Sequence, residues 1–477
     1  MNGLIGRDEE LDLLNEWYSS DRLEFIAIYG RRRVGKTSII EQFLKDKRAI
    51  FFTARRTKGR SNMRLFNEAV KNFVNSSDEK MRYFDDLFRM ITDSSEERTI
   101  LVIDEFPYFA ASDEDVISAL QVFIDHVAKR TKLFLILCGS SMSFMKRQVL
   151  GHESPLYGRR THELHVRPMS YHASAEFLTG RSDLEKACVY GAVGGIPLYL
   201  NEFSGKENIF EIMAKEFFSD GSMLFSEPES LILQELKDPT KYNDILEAMA
   251  KGKTRINEIS DVSGISQSDV SRCLDDLIDL GYAEKVRPMN EKNEKRTGYH
   301  ISDNLFRFYY QMVIGKKQVI LGSSSKETAE LLEKEFPDYM GRTFEGMCAQ
   351  YLREMMGYPI TGKWWGTPAK NLSIEIDLIG SVGRMNGVEG MFAECKFTKK
   401  KADGNDLEWL KERADHVKGF SMKRYAIFSR SGFTDGLTER AETEGVRLVS
   451  LEMMYRPYEK KTISGREHRG RDPSGME

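Results

Sequence analysis

Residues 24–42 read Glu24-Phe25-Ile26-Ala27-Ile28-Tyr29-Gly30-Arg31-Arg32-Arg33-Val34-Gly35-Lys36-Thr37-Ser38-Ile39-Ile40-Glu41-Gln42. An apolar, β-branched run meets a glycine-bounded loop, and a helix-compatible segment follows, which matches the phosphate-binding pattern G-x-x-x-x-G-K-[ST] in its proper setting. Gly30 and Gly35 let the backbone fold around a phosphate chain and present its N–H groups. The following helix aims its positive N-terminal end at the same anion. The stretch Gly30, Arg31, Arg32, Arg33, Val34, Gly35, Lys36, Thr37, Ser38 is therefore the expected cradle. Lys36 is expected to reach the β/γ-phosphates and the Thr37 hydroxyl to bind Mg²⁺.

A second stretch, Thr99-Ile100-Leu101-Val102-Ile103-Asp104-Glu105-Phe106-Pro107, runs four apolar residues into two acids. A strand buried on both faces needs continuous apolar residues and delivers its last carboxylates to the crevice at its carboxyl end. Coupled to the loop at Gly30–Thr37, it looks like the second half of an ATP site. Asp104 would hold Mg²⁺ directly or through water, and Glu105 would polarise the attacking water. Another buried strand, Leu133–Cys138, ends in Gly139-Ser140-Ser141. Ser140 or Ser141 would sense the γ-phosphate there, or their hydroxyls cap the next helix. A helix is expected over Asp113–Lys129, between these strands. The Gly158-Arg159-Arg160 turn offers a finger in cis or from a neighbouring subunit of a homo-oligomer, with Arg159 slightly favoured, or it is an ordinary basic surface turn. Alternation of strand and helix predicts a parallel, doubly wound α/β sheet. Helical residues then follow, broken by Gly194-Gly195-Ile196-Pro197, which suits a hinge or lid.

The chain has 477 residues, too many for one core. Its net charge of −4 gives no global attraction to nucleic acid, so any such binding must come from local patches. Five scattered cysteines without a C-x-x-C pair argue for reduced thiols and against structural zinc. The N-terminus lacks a signal-peptide h-region, and no apolar run reaches membrane-spanning length. A soluble, cytoplasmic protein without a membrane partner is expected.

Together, Ile5-Gly6-Arg7-Asp8-Glu9, Gly30–Thr37, Ile103-Asp104-Glu105, Cys138-Gly139-Ser140-Ser141, Ser154–Arg160 and Gly194-Gly195-Ile196-Pro197 resemble the archaeal-type ATPase family, a P-loop group related to AAA+ proteins. The resemblance covers about the first half of the chain. It implies an ATP-driven switch without saying what is switched.

Residues 236–312 read as a winged helix: helices over Tyr242–Ala250 and Arg255–Val262, a third from Ser266, then a two-stranded wing. Ser266 and Asp269 suggest a capping box. The domain resembles the winged helix that follows the ATPase in this family. DNA is the expected partner of the helix from Ser266, with Arg272, Lys285, Arg287, Lys292, Lys295 and Arg296 favourable. Asp275, Asp276 and Asp279 are expected on its solvent face, where they oppose phosphate.

The last domain carries a second constellation. Glu345 sits on a helix placed at Gly341–Met355; Ile374–Ile379 and Met391–Phe397 read as strands with Glu394 and Lys396 on one face. A hairpin would bring Asp377 beside them, so that three carboxylates and a lysine could bind a divalent metal. The set resembles the PD-(D/E)xK nuclease superfamily, especially the nuclease-like domain of unknown function that follows the archaeal-type ATPase. The resemblance implies Asp377 and Glu394 as metal ligands, Lys396 on water or phosphate, and Glu345 as an auxiliary acid; Ile376 stands where the name-giving proline would. The alternative is a solvated sheet edge.

The expected layout is an ATPase core at 1–167, a helical lid at 168–235, the winged helix at 236–312, a restriction-endonuclease-like α/β domain at 325–456 and a disordered polar tail at 457–477. The expected output is ATP-regulated action on DNA; the alternative is a nucleotide-dependent interaction or DNA-binding switch with an inactive nuclease fold.

Overall fold

Five parallel strands organise the N-terminal half: β1 (Glu24–Tyr29), β2 (Ala49–Thr53), β3 (Ile100–Asp104), β4 (Phe134–Gly139) and β5 (His162–His165), in the order β2-β3-β4-β1-β5. The structure is a computed structural model that describes residues 4–57, 60–77, 83–93, 97–236, 238–289, 296–317, 324–369, 372–383 and 387–456. Every residue of β1, β3 and β4 is buried, as the continuous apolar runs require. Alternate side chains serve two separate layers. Ile26, Ile28, Ile100 and Ile136 face one core, while Phe25, Ala27, Leu101 and Leu135 face the other. Because the strands are parallel, the ends of β1, β3 and β4 open on one edge of the sheet, where the site is built.

The helix expected over Asp113–Lys129 is divided. Helices Phe106–Ser112 and Asp115–His126 flank an extended Asp113, and a 3₁₀ turn covers Ala128–Arg130. Pro107 sits in the first turn of the earlier helix, where its missing N–H costs nothing.

Helices fill the stretch between Tyr171 and Glu235, where the lid is expected, and Pro239–Ala250, Ile256–Ser263 and Gln267–Asp279 form the helices of a winged helix. The wing pairs β6 (Ala283–Val286) with β7 (Gly298–Ile301) antiparallel. The expected capping box forms by half: Ser266 accepts the Asp269 N–H at 3.3 Å, whereas the Asp269 carboxylate goes to Arg272 at 2.7 Å and Lys241 at 3.3 Å. Wing residues Lys292 and Lys295, like the tail 457–477, lie outside the described residues.

The helix carrying Glu345 begins earlier than expected, running Ser325–Met355 with Pro337 inside. It packs on the lid helix Ile209–Phe218 and on the C-terminal sheet. That sheet has the order β12-β11-β10-β9-β8. β8 (Ile360–Ala369), which the sequence did not suggest, pairs antiparallel with β9 (Leu372–Ser381), and β9 pairs antiparallel with β10 (Val388–Lys396). β11 (Phe420–Ser429) and β12 (Arg447–Ser450) continue it in parallel. One apolar core reaches from Leu14 through Tyr199 and Leu277 to Met454, so the units share an interior. The five cysteines are free. Among the described residues no helix is long and apolar enough to cross a membrane.

Candidate functional site

At the end of β1 the chain must pass Val166 closely. A Cβ at Gly30 would lie 2.2 Å from the Val166 carbonyl oxygen, which only glycine avoids. Gly35, at φ +94°, caps the helix Lys36–Leu44 in a conformation that disfavours other residues. Lys36, 6% exposed, turns its ammonium into the loop and donates to the carbonyls of Gly30 and Arg31, both at 2.9 Å. Burial pushes that ammonium below the usual lysine value, against the pull of Cys138, Glu105 and Asp104.

Parallel β1 and β3 bring Thr37 to Asp104: Oγ1 donates to Oδ2 at 3.3 Å. Neighbouring oxygens in an Mg²⁺ octahedron with bonds of about 2.1 Å stand about 3 Å apart, so these two groups fit such an ion. Glu105 adopts φ +49°, ψ 44°, a left-handed conformation that is costly without glycine. The turn aims its carboxylate across to β4, where the Ser140 hydroxyl donates to Oε2 at 2.9 Å. Ser141 stands at the N-cap of the next helix without a side-chain cap bond. Of the two serines, Ser140 is the one tied to Glu105.

The three arginines inside the loop all leave it. Arg31 donates to Asp303 Oδ2 at 2.6 Å and lies over the Tyr282 ring at 4.5 Å, both in the winged-helix region. Burial works against its charge, but Asp303 outweighs burial and raises its pKa. Arg32 donates to Glu235 at 2.8 Å and to the Tyr108 hydroxyl at 2.6 Å. Arg33 pairs with Glu227 of the lid at 2.5 Å. Their sequence positions say "cradle"; their side chains form the seam between cradle, lid and winged helix.

Arg159 is committed elsewhere within its own chain. It donates to Asp125 at 2.6 and 3.0 Å and to the Pro155 carbonyl at 2.6 Å. Its hydrogen bonds, followed by those of Lys129, hold Asp125 down at about 2. Arg160 faces Glu163 and the Leu150 carbonyl. The turn is anchored to the helix Asp115–His126, and a finger role in cis would require Arg159 to leave Asp125.

In the C-terminal sheet the β9–β10 pairing sets Leu378 opposite Ala393, which carries Asp377 next to Glu394. Asp377 Oδ2 accepts the Cys395 N–H at 2.9 Å. Lys396 binds Glu394 at 2.8 Å and Asp406 at 3.2 Å, and Arg413 reaches the other Glu394 oxygen at 3.3 Å. Burial, then Asp377, raises the Glu394 pKa above the usual carboxylate value. Lys396 ends above its usual value, because Glu394 and Asp406 outweigh its burial.

Glu345 pairs instead with Lys363 on β8, a residue the sequence reading missed; Lys363 also stands 3.8 Å from Glu375. Burial raises Glu345, Lys363 opposes this, and Asp377 adds to it. The expected assembly of three carboxylates is thereby corrected. Among the described residues no three His, Cys, Asp or Glu side chains gather to hold an ion. The donors that fit a cation are the pair Asp377 and Glu394, whose mutual repulsion a positive charge would relieve.

The winged helix is also less free than expected. Asp276 accepts from the Tyr242 hydroxyl at 2.7 Å and Asp279 pairs with Lys146 of the ATPase core at 2.9 Å, so of the three acids Asp275 is the one left exposed on the helix. The wing docks on β8, where the Met289 N–H donates to the Lys363 carbonyl at 2.7 Å, and on the helix Ser325–Met355, where Arg342 reaches Glu284 at 3.0 Å.

Comparison with known proteins matches three segments of the chain. An ATPase domain predominantly from Archaea matches residues 4–203, the IclR helix-turn-helix domain matches 241–287, and a group of archaeal and bacterial proteins of unknown function matches 309–407. An uncharacterized protein of Methanocaldococcus jannaschii is 30% identical over 401 residues, covering 82% of this chain and 87% of its own. An uncharacterized ATP-binding protein of the same organism is 43% identical over 44 residues, 9% of this chain and 75% of that one. Among solved structures, a Walker-type ATPase of Pyrococcus abyssi aligns over 65% of this chain and 96% of its own, at 22% identity and a TM-score of 0.49.

Proposed function

The chain belongs to the archaeal-type ATPase family, in which an archaeal ATPase domain is followed by a winged helix and a C-terminal domain of unknown function, and from that premise we propose that it is an ATP-hydrolysing switch controlling a nuclease-like domain that acts on DNA. The observation that carries this reading is the departure of Arg31, Arg32 and Arg33 from the phosphate loop to Asp303, Glu235 and Glu227. Three consecutive loop residues end on the lid and the winged helix, so a change in the loop on nucleotide binding has a direct route to both.

Within the ATP site, Lys36 exchanges the Gly30 and Arg31 carbonyls for phosphate oxygens. Thr37 and Asp104 would hold Mg²⁺, which when bound would neutralise charge on the phosphates. Glu105, steadied by Ser140, orients the attacking water and accepts its proton. In the C-terminal domain Asp377 and Glu394 would hold a divalent cation, with Lys396 beside them toward water or phosphate. The exposed Ser266, Gln267, Ser268 and Arg272 at the start of Gln267–Asp279 are the groups offered to DNA.

A second reading is favoured by the Glu394 surroundings. Lys396 and Arg413 already neutralise both its oxygens, which suits a fold that binds without cutting. Purified protein with labelled single- and double-stranded DNA, Mg²⁺ or Mn²⁺, and with or without ATP separates the two. ATP-responsive cleavage lost in Asp377→Ala supports the nuclease; no cleavage in either metal, with nucleotide-dependent binding intact, leaves the switch alone.

A further inference from the structure

Between the phosphate loop, the wing and the C-terminal sheet lies a cleft of about 930 Å³. Its walls come from all three units: Arg31 and Gly194 from the ATPase side, Arg255 and Lys285 from the winged helix, Arg353 and Trp365 from the C-terminal domain. Glu345 and Asp377 also line it.

Among the described residues the lining carries nine arginine and lysine side chains and five carboxylates. Four of those acids are answered within the protein. Asp303 holds Arg31, Glu284 holds Arg342, and Glu345 and Glu375 face Lys363. The fifth, Asp377, accepts a backbone N–H. Arg255, Lys285 and Arg353 stand exposed along its walls and make a local basic surface on a chain whose net charge is −4. Its volume is at the upper end of small-ligand pockets, but such pockets are mostly apolar, and this one presents the exposed cations Arg255, Lys285 and Arg353.

One aromatic residue changes the reading from any anion to a strand. On β8, Trp364 packs against the core of Ile376, Phe392 and Leu410, whereas its neighbour Trp365 is half-buried and lines the cleft. Cations that track a backbone, with an aromatic face on which a base can stack, are the two components of single-strand recognition. A single strand offers such a surface both its phosphates and its open base faces, whereas a duplex keeps its base faces stacked inside.

We propose that this interdomain cleft binds a single nucleic-acid strand, with Lys285, Arg255 and Arg353 on its phosphates and Trp365 stacked on a base, leading it past Asp377. The site is distinct from the helix Gln267–Asp279, and it rests on the proposed function only in the expectation that DNA is the macromolecular ligand. It also ties the strand to the nucleotide: Arg31 lines the cleft with its side chain while its carbonyl holds Lys36.

The test uses the full chain in EDTA, so that no cleavage enters the measurement, with fluorescein-labelled dT20, rU20 and a 20-base-pair duplex read by anisotropy. The expected result is binding of the single strands that weakens with salt, quenches tryptophan emission, and falls about 5- to 150-fold in Trp365→Ala and markedly in Lys285→Glu. Arg255→Glu provides a second charge variant, and unchanged nucleotide binding shows that each variant is folded. Strand affinity unaltered by Trp365→Ala and Lys285→Glu, or no strand binding at all, overturns the inference. The two proposals fail separately: strand binding that depends on Trp365 without cleavage in any metal removes the nuclease and keeps the cleft. Cleavage with binding indifferent to Trp365 does the reverse.

Discussion

Arg31 Nη1 donates to Asp303 Oδ2 at 2.6 Å across 272 residues of chain, with both side chains nearly out of solvent, at 11% and 6% exposure. Asp303 also accepts the Phe306 N–H at 2.9 Å, capping the helix Asn304–Phe308. A phosphate-loop residue therefore holds the start of the helix that leaves the winged helix. Neutralising Asp303 leaves the Arg31 charge buried without a partner, at a cost of about 3–5 kcal/mol. Asp303→Asn is expected to lower the stability measured by denaturant unfolding by that amount. Hydrogen exchange around 281–303 should also lose its response to ATP; a response equal to wild type would refute the coupling.

Lys36 and Glu105 separate binding from chemistry. Lys36→Ala is expected to abolish nucleotide binding in a titration with a fluorescent ATP analogue. Glu105→Gln is expected to bind ATP normally and hydrolyse it about 10²- to 10⁴-fold more slowly, the usual range for a lost general base. ATP affinity unchanged in Lys36→Ala contradicts the phosphate-loop assignment.

For Arg159 the two roles differ greatly in magnitude. A finger contributes about 10³- to 10⁵-fold to turnover, whereas a surface tether to Asp125 contributes about 1 kcal/mol or less to stability. Arg159→Ala is expected to keep turnover per protomer within a small factor of wild type in dilute protein. A thousandfold loss that appears only at concentrations where subunits associate would restore the finger, supplied from a neighbouring copy.

The Glu394 carboxyl has a definite pH signature. Its folded pKa is raised above the usual 4.5 by burial and by Asp377. The unfolded chain therefore releases this proton first as pH rises, and the group's contribution to stability is full below 4.5 and lost as pH climbs through the raised value. Glu394→Gln mimics the protonated form. It should melt at or above wild type at pH 7, with the difference vanishing as pH approaches 4.5. A variant less stable at pH 7 than at 4.5, relative to wild type, reverses the sign and the argument.

A cation at Asp377 and Glu394 would relieve the same repulsion. Mn²⁺ or Mg²⁺ without nucleotide is expected to raise the melting temperature of Lys36→Ala protein, in which the ATP site is disabled, and to have no effect when Asp377→Asn is added. Equal shifts in both proteins place the ion elsewhere.

Much of the N-terminal half was legible because buried parallel strands write themselves as apolar runs, and Gly30, Gly35, Lys36 and Thr37 are required by backbone geometry at one place in the chain. The capping box at Ser266 was legible only by half, since the Asp269 carboxylate is taken by Arg272 on its own helix and by Lys241 from another. Lys363 was invisible for a similar reason. It pairs with Glu345 through a strand whose two tryptophans and glycines gave no alternating pattern, and only the sheet brings helix and strand together. The arginines of the loop were read from their backbone role, while their side chains are spent on partners near and beyond residue 227. Where a residue's function is set by local conformation the sequence discloses it; where it is set by a distant partner of opposite charge, it does not.

The helix Ser325–Met355 has 31 residues, a rod of about 46 Å. One end is seated in the lid and the other under the C-terminal sheet, and Gln350 near its far end bonds both Tyr171 and Tyr190 of the ATPase half. The two halves are consequently one inheritance unit. A chain shortened before this helix strips the lid of its packing, and one that begins with it exposes the same surface from the other side. Domain-deletion phenotypes in this protein will report collapse of the whole before they report the loss of either activity, and exchange of halves between relatives should succeed only when the rod travels together with the lid it was fitted to.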